Sequence, residues 1–167
     1  YGLQARRNTE RFDWETGEPP LVVEDIIARL PTYSRAELST RPIGRIELVV
    51  VHWDGGPGAF PEQYDPVSYY QWEARYHIQE NWCKNSGYCP GFGIMYHEKV
   101  SRDGRIWIVR PATHVVWACR YANTISYNIC VDANPKSPPT KLQVDAARRR
   151  VEELRRLYGL PHNAVRG

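Results

Sequence analysis

Residues 45–53 read RIELVVVHW, and this stretch decides the fold. Leu48, Val49, Val50 and Val51 form an unbroken apolar run between Ile46 and Trp53. So short and β-branched a run predicts a strand buried on both faces. Leaving it in water would be costly, at about 25 cal/mol for each Å² of apolar surface. The run ends abruptly in DGGPG, residues 54–58, a glycine-rich loop. A buried strand that stops at such a loop delivers its last polar side chain, His52, to a rim where sites tend to be built.

Working outward, Asp65 followed by Pro66 is an N-cap with proline at the first helical position. Val67, Tyr70, Ala74 and Ile78 then recur at helical spacing and predict an amphipathic helix over 66–82. From Ile94 the pattern changes. IMYHEKVSR (94–102) and RIWIVRP (105–111) read as strands joined by the hairpin signal Asp103–Gly104. HVVWACR (114–120) and ISYNICVDA (125–133) are two further strand candidates. Thr140 and Gln143 form a capping box that opens a helix to about Tyr158, with Ala147, Val151, Leu154 and Tyr158 on one face and Gly159 ending it. Residues 163–167, NAVRG, read as a last strand entering the sheet. On the N-terminal side, LVVEDIIARL (21–30) places Val22, Val23, Ile26, Ile27 and Leu30 at helical spacing and stops at Pro31, which predicts a short helix. Residues 1–20 are polar, end in Pro19–Pro20 and read as an arm or linker. The expected architecture is α/β: a single domain over 21–167 with a central mixed β-sheet flanked by helices.

Length and composition agree, since 167 residues leave little room for a second core. The 42% hydrophobic and 25% charged shares are ordinary globular usage, whereas six Trp and eleven Tyr are rich and suit a carbohydrate-facing cleft as well as a core. The net charge of +3 concentrates in Arg148, Arg149, Arg150, Arg155 and Arg156 on the second helix. That is a solvated helix face, so nucleic acid is not an expected partner. No run approaches the 18 or so apolar residues of a membrane span, and the first residues lack a signal-peptide pattern. Four cysteines, Cys83, Cys89, Cys119 and Cys130, lack the paired spacing of a zinc knuckle. Cys83 and Cys89 bracket CKNSGYC, a loop short enough to be closed by a disulfide in an oxidising compartment; Cys119 and Cys130 read as buried thiols.

The five histidines separate by position. His52 is placed to serve as a metal ligand or a base. His97 follows Tyr96 on a strand, so the two side chains point to opposite faces. His77 and His162 read as surface residues, and His114 precedes a strand from which it could reach a cleft.

The order of these motifs resembles the type-2 N-acetylmuramoyl-L-alanine amidases, a superfamily that includes phage endolysin-like amidases and the peptidoglycan-recognition proteins. The resemblance covers residues 45–167 and rests on VVVHWDGG, YHEKVSRDGRIW, WACRYANTISYNICV, PPTKLQ and YGLPHNAVRG taken in order. It implies zinc as cofactor with His52 as the first ligand, and Tyr96 as the catalytic tyrosine. It also implies an enzyme that hydrolyses the amide joining N-acetylmuramic acid to L-alanine in peptidoglycan. The expected partner is peptidoglycan or a muropeptide, met as a monomer at the bacterial cell wall after secretion or phage delivery, with cell-wall lysis, remodelling or an antimicrobial role as the outcome. The family's next ligand is a histidine immediately after a segment like AVRG, so the domain is expected to be truncated before its C-terminal metal-binding segment. Trp117–Ala118 stands where the family has a His-Ala pair. The rival expectation is a non-catalytic peptidoglycan-binding module of the same fold.

Overall fold

A computed structural model of the chain describes residues 20–32, 39–55, 58–61, 63–80 and 92–167. Six strands, β1 (Val23–Asp25), β2 (Leu48–Trp53), β3 (Glu98–Val100), β4 (Ile106–Ile108), β5 (Ser126–Val131) and β6 (Val165–Arg166), form one sheet. Their order is β1-β4-β3-β5-β2-β6. Only β3 and β4 run antiparallel, so the sheet is mixed as expected. Two helices, α1 (Pro66–Gln79) and α2 (Lys141–Leu157), complete the domain.

The apolar run behaves as its composition demands. β2 pairs along its whole length with β5, from Leu48 opposite Ser126 to Trp53 opposite Val131, and β6 covers its other edge. Alternation then sends successive side chains to two cores. Val49, Tyr127, Ile129 and Val131 pack with Ala146, Ala147 and Leu154 of α2. On the other face Trp107 packs with Val67, Tyr70 and Ala74 of α1. Both helix starts hold as read: the Asp65 side chain accepts from the Ser68 amide, and Thr140 with Gln143 forms the reciprocal capping box. Asp103 and Gly104 close the β3–β4 turn, with Gly104 at φ 82°, a conformation that favours glycine.

Three expectations are corrected. Residues 21–30 do not form a helix: Val23–Asp25 adds a parallel strand to the edge of β4, and Ile27–Arg29 makes a single 3₁₀ turn. The helical spacing was real, since Ile26 and Leu30 are the two buried residues there. The β4 edge competes for the same backbone: the Ile106 amide donates to the Val22 carbonyl, and the Ile26 amide donates to the Ile108 carbonyl. Residues 114–120 form irregular, bent chain in place of a strand, with one isolated bridge between His114 and Thr40. Side chains satisfy the surrounding backbone: the Asn123 amide oxygen accepts from the Cys119 amide at 2.7 Å, and Arg41 donates to the Ala112 and Asn123 carbonyls. α1 ends at Gln79, three residues short of the expected end, and Cys83 and Cys89 lie outside the described residues. Among those residues, no helix is long and apolar enough to cross a membrane.

Candidate functional site

β2 carries His52 to the end of the sheet, opposite Cys130 of β5. The His52 ring is half-buried, and its Nε2 lies 2.9 Å from Oδ1 of Asn128, one pleat back on β5. Tyr96 reaches the same place from the segment leading into β3, and its ring centroid lies 5.4 Å from that of His52. Burial holds the Tyr96 phenol well above its ordinary pKa, so at neutral pH it is an O–H donor.

The segment that presents Tyr96 is held at several points. Gly93 sits at φ 114°, and a Cβ there would lie 2.1 Å from Nη2 of Arg110 and 2.8 Å from the Pro31 carbonyl oxygen. Buried Arg110 donates to the carbonyls of Phe92 and Ile94. Nδ1 of His77 donates to the Gly93 carbonyl at 3.0 Å, and burial lowers its pKa to about 4. His77 is therefore a half-buried strut, where a surface residue was expected. His97 is fully buried and points away from Tyr96, stacking on Tyr127 at 4.6 Å. Its Nδ1 accepts from the Asn128 amide and its Nε2 donates to the His114 carbonyl, which ties the chain to β5 and to the segment at His114. Burial, the largest influence, lowers the His97 pKa to about 3, so the ring is neutral and structural. The His114 ring does not join His52 and Tyr96; its Nδ1 is buried with no hydrogen-bond partner among the described residues.

Beneath the His52–Tyr96 pair lies a feature that the sequence reading missed. Lys99 is completely buried, and its Nζ sits 3.2 Å from Asp54, 3.0 Å from Glu73 and 3.1 Å from Asp132. The hydroxyls of Tyr64 and Tyr70 donate to Asp132, and that of Tyr69 donates to Asp54. The ammonium also lies 5.5 Å from the ring centroids of both Tyr70 and Tyr96. Burial opposes the charge on Lys99, yet Cys130, Glu73, Asp132 and Asp54 together hold its pKa above the ordinary value. Burial also raises the Cys130 pKa and keeps it a neutral thiol, so the three carboxylates supply this stabilisation. Glu73 is pushed up to about 7, first by burial and then by Asp54 and Asp132, against the pull of Lys99. A signal was present in the adjacent charges Glu98–Lys99 on a strand: with both faces covered, each had to find a buried partner. Glu98 finds Arg150 at 2.6 Å and the Tyr127 hydroxyl on the α2 face. Lys99 finds its three carboxylates on the α1 face.

A groove of about 1220 Å³ runs along α2 and reaches the end of β2, lined among others by His52, Trp53, Val144, Arg148 and Val165. Tyr96 does not line it. As a donor set, His52 offers one imidazole with a single ring nitrogen engaged, which suits one metal ligand. Among the described residues no group of three or more His, Cys, Asp or Glu side chains could hold an ion, so they do not complete a zinc site.

The sequence model of the N-acetylmuramoyl-L-alanine amidases matches residues 42–167, three quarters of the chain and every element from β2 onward. The chain belongs to the N-acetylmuramoyl-L-alanine amidase family. No curated protein matches it in sequence. Among solved structures, the N-acetylmuramoyl-L-alanine amidase LysC from Clostridium intestinale aligns with a TM-score of 0.56 at 17% identity, over 86% of this chain and 80% of that one. Drosophila peptidoglycan recognition protein SD aligns with a TM-score of 0.62 at 18% identity, over 89% and 82%. The PGRP-LCa and PGRP-LCx ectodomain complex aligns with a TM-score of 0.63 at 19% identity, over 88% and 84%. At these identities the likeness is one of fold, and it extends the amidase-family architecture over most of the chain.

Proposed function

We propose that this protein hydrolyses the amide bond between N-acetylmuramic acid and L-alanine in peptidoglycan at the bacterial cell wall, with zinc as cofactor. His52 serves as one zinc ligand, and Tyr96 donates its phenolic hydrogen to the oxygen that gains charge as the amide is attacked. The observation that supports this most is the adjacency of the two rings, 5.4 Å apart at the end of β2, inside the family match. Zinc in a hydrolytic site lowers the pKa of a water to about 7 and polarises a carbonyl. The chain's own part is placement. The β2–β5 pairing holds the imidazole at the sheet's end, and the struts around Gly93 hold the phenol beside it. Burial keeps that phenol protonated, so it can donate a hydrogen bond where charge develops.

A second reading is recognition of muropeptide without cleavage. It draws on the similar complex in which tracheal cytotoxin is bound to PGRP-LCa and PGRP-LCx ectodomains. Metal dependence separates the two readings. Activity on purified peptidoglycan is expected to disappear after dialysis against a chelator and to return with zinc, while binding to insoluble peptidoglycan changes little. Hydrolysis that survives exhaustive chelation would remove zinc from the proposal.

A further inference from the structure

The hydrogen bonds around Asn128 determine which nitrogen of His52 carries the ring hydrogen. Asn128 is completely buried on β5. One end of its side-chain amide lies 3.2 Å from the Ser126 carbonyl oxygen and 2.9 Å from the Ser126 hydroxyl. A carbonyl oxygen only accepts, so the atom facing it must be Nδ2. The opposite end, 2.9 Å from His52 Nε2, is then Oδ1, which also only accepts. Nε2 must therefore carry the hydrogen, and in the neutral ring Nδ1 holds the lone pair.

Neither end of the amide is free to turn over. The Ser126 carbonyl is itself fixed by a 2.7 Å bond from Arg41, which is buried. The Asn128 backbone is clamped at both polar groups by His97: its amide donates to His97 Nδ1, and its carbonyl accepts from the His97 amide, each at 2.9 Å. A flipped amide would set two carbonyl oxygens against each other and leave a buried donor facing His52.

We infer that Asn128 is a positioning residue that locks His52 in the Nε2–H tautomer and so presents Nδ1 as the ring's acceptor for a Lewis-acidic ion. The second half of this inference rests on the reading of His52 as a zinc ligand. The tautomer itself does not. Removing the acceptor leaves His52 to sample both tautomers, which weakens zinc binding by about 10- to 100-fold, the usual effect of losing a partner behind a metal ligand.

The test is ¹⁵N NMR of histidine-labelled protein at mildly alkaline pH, about 8.5, where free imidazole is neutral. In the native protein, His52 is expected to show a hydrogen-bearing Nε2 and a bare Nδ1. Asn128→Ala should move both shifts towards the average of the two tautomers. His97 serves as the control in the same spectrum, because the backbone of residue 128 holds its ring and its signals should not move while the fold is intact. Zinc added to the native protein is expected to shift Nδ1 and leave the Nε2 hydrogen in place. A native His52 carrying its hydrogen on Nδ1 would overturn the inference, and this result needs no variant to fold. Unchanged His52 shifts in a folded Asn128→Ala protein would overturn it too. Should the tautomer be as expected while protein that has taken up zinc shows both nitrogens untouched, the zinc reading of His52 fails and the lock by Asn128 stands.

Discussion

Lys99→Met is expected to destabilise the fold by about 3–5 kcal/mol, the cost of removing one partner from a buried ion pair and leaving the other charges without compensation. Methionine keeps much of the volume, so a packing defect contributes little. The cost arises because Asp54, Glu73 and Asp132 converge within 3.2 Å of Nζ and would face one another unscreened. The loss should depend on pH with a defined sign. In the native protein the Glu73 pKa is raised to about 7 from an unfolded value near 4.5, so its protonated form favours folding. Its contribution is fully present below about pH 4.5 and is lost as pH rises through about 7. Without the ammonium, which lowers the Glu73 pKa, the carboxyls hold their protons to still higher pH. The deficit of Lys99→Met against the native protein should therefore be larger at pH 8 than at pH 5, measured by urea unfolding at each pH. A deficit below about 1 kcal/mol at pH 8 would mean that water reaches the cluster and screens it.

The second large effect concerns the two site residues, which differ in what they should lose. His52→Ala is expected to abolish zinc binding and turnover together, since it removes the imidazole assigned to the ion, and the neighbouring His97 ring is tied up in hydrogen bonds to Asn128 and His114. Tyr96→Phe keeps the ring that packs against His52 and removes one hydroxyl. It should leave stability and zinc affinity nearly unchanged and lower kcat by roughly 100-fold or more, typical of losing one oxyanion donor. Zinc content, thermal unfolding and kcat on soluble muropeptide, measured on both variants, separate ion holding from stabilisation of developing charge. Equal loss of zinc in both would make Tyr96 part of the ion site.

How far these features were legible follows from the physics behind each signal. The run Leu48–Val51 admitted one solution, a strand covered on both faces, and the structure gives β2 between β5 and β6 with a helix on each side of the sheet. Capping chemistry is local, so both helix starts and the Asp103–Gly104 turn were readable from a few residues each. Residues 21–30 and 114–120 misled because their outcome is set by long-range competition. The β4 edge claimed the first, and Arg41 and Asn123 satisfied the second without a ladder. At the site, His52 and Tyr96 stood out through position and family resemblance. The residues around them did not. Asn128 is one polar side chain in a strand of mixed pattern, and its relation to His52 exists only through the β2–β5 register. Asp54, Glu73, Lys99 and Asp132 come from four separate segments, and no spacing along the chain brings them to one point.

Analysis of the products formed from purified peptidoglycan is the most direct measurement of what this protein does. Digestion is expected to release stem peptides that begin with a free L-alanine amino group, in step with the loss of muramoyl-linked peptide, while the glycan chains gain no new reducing ends. Protein that binds the peptidoglycan and is loaded with zinc, yet liberates no alanine amino termini, would contradict hydrolysis and leave recognition as its activity.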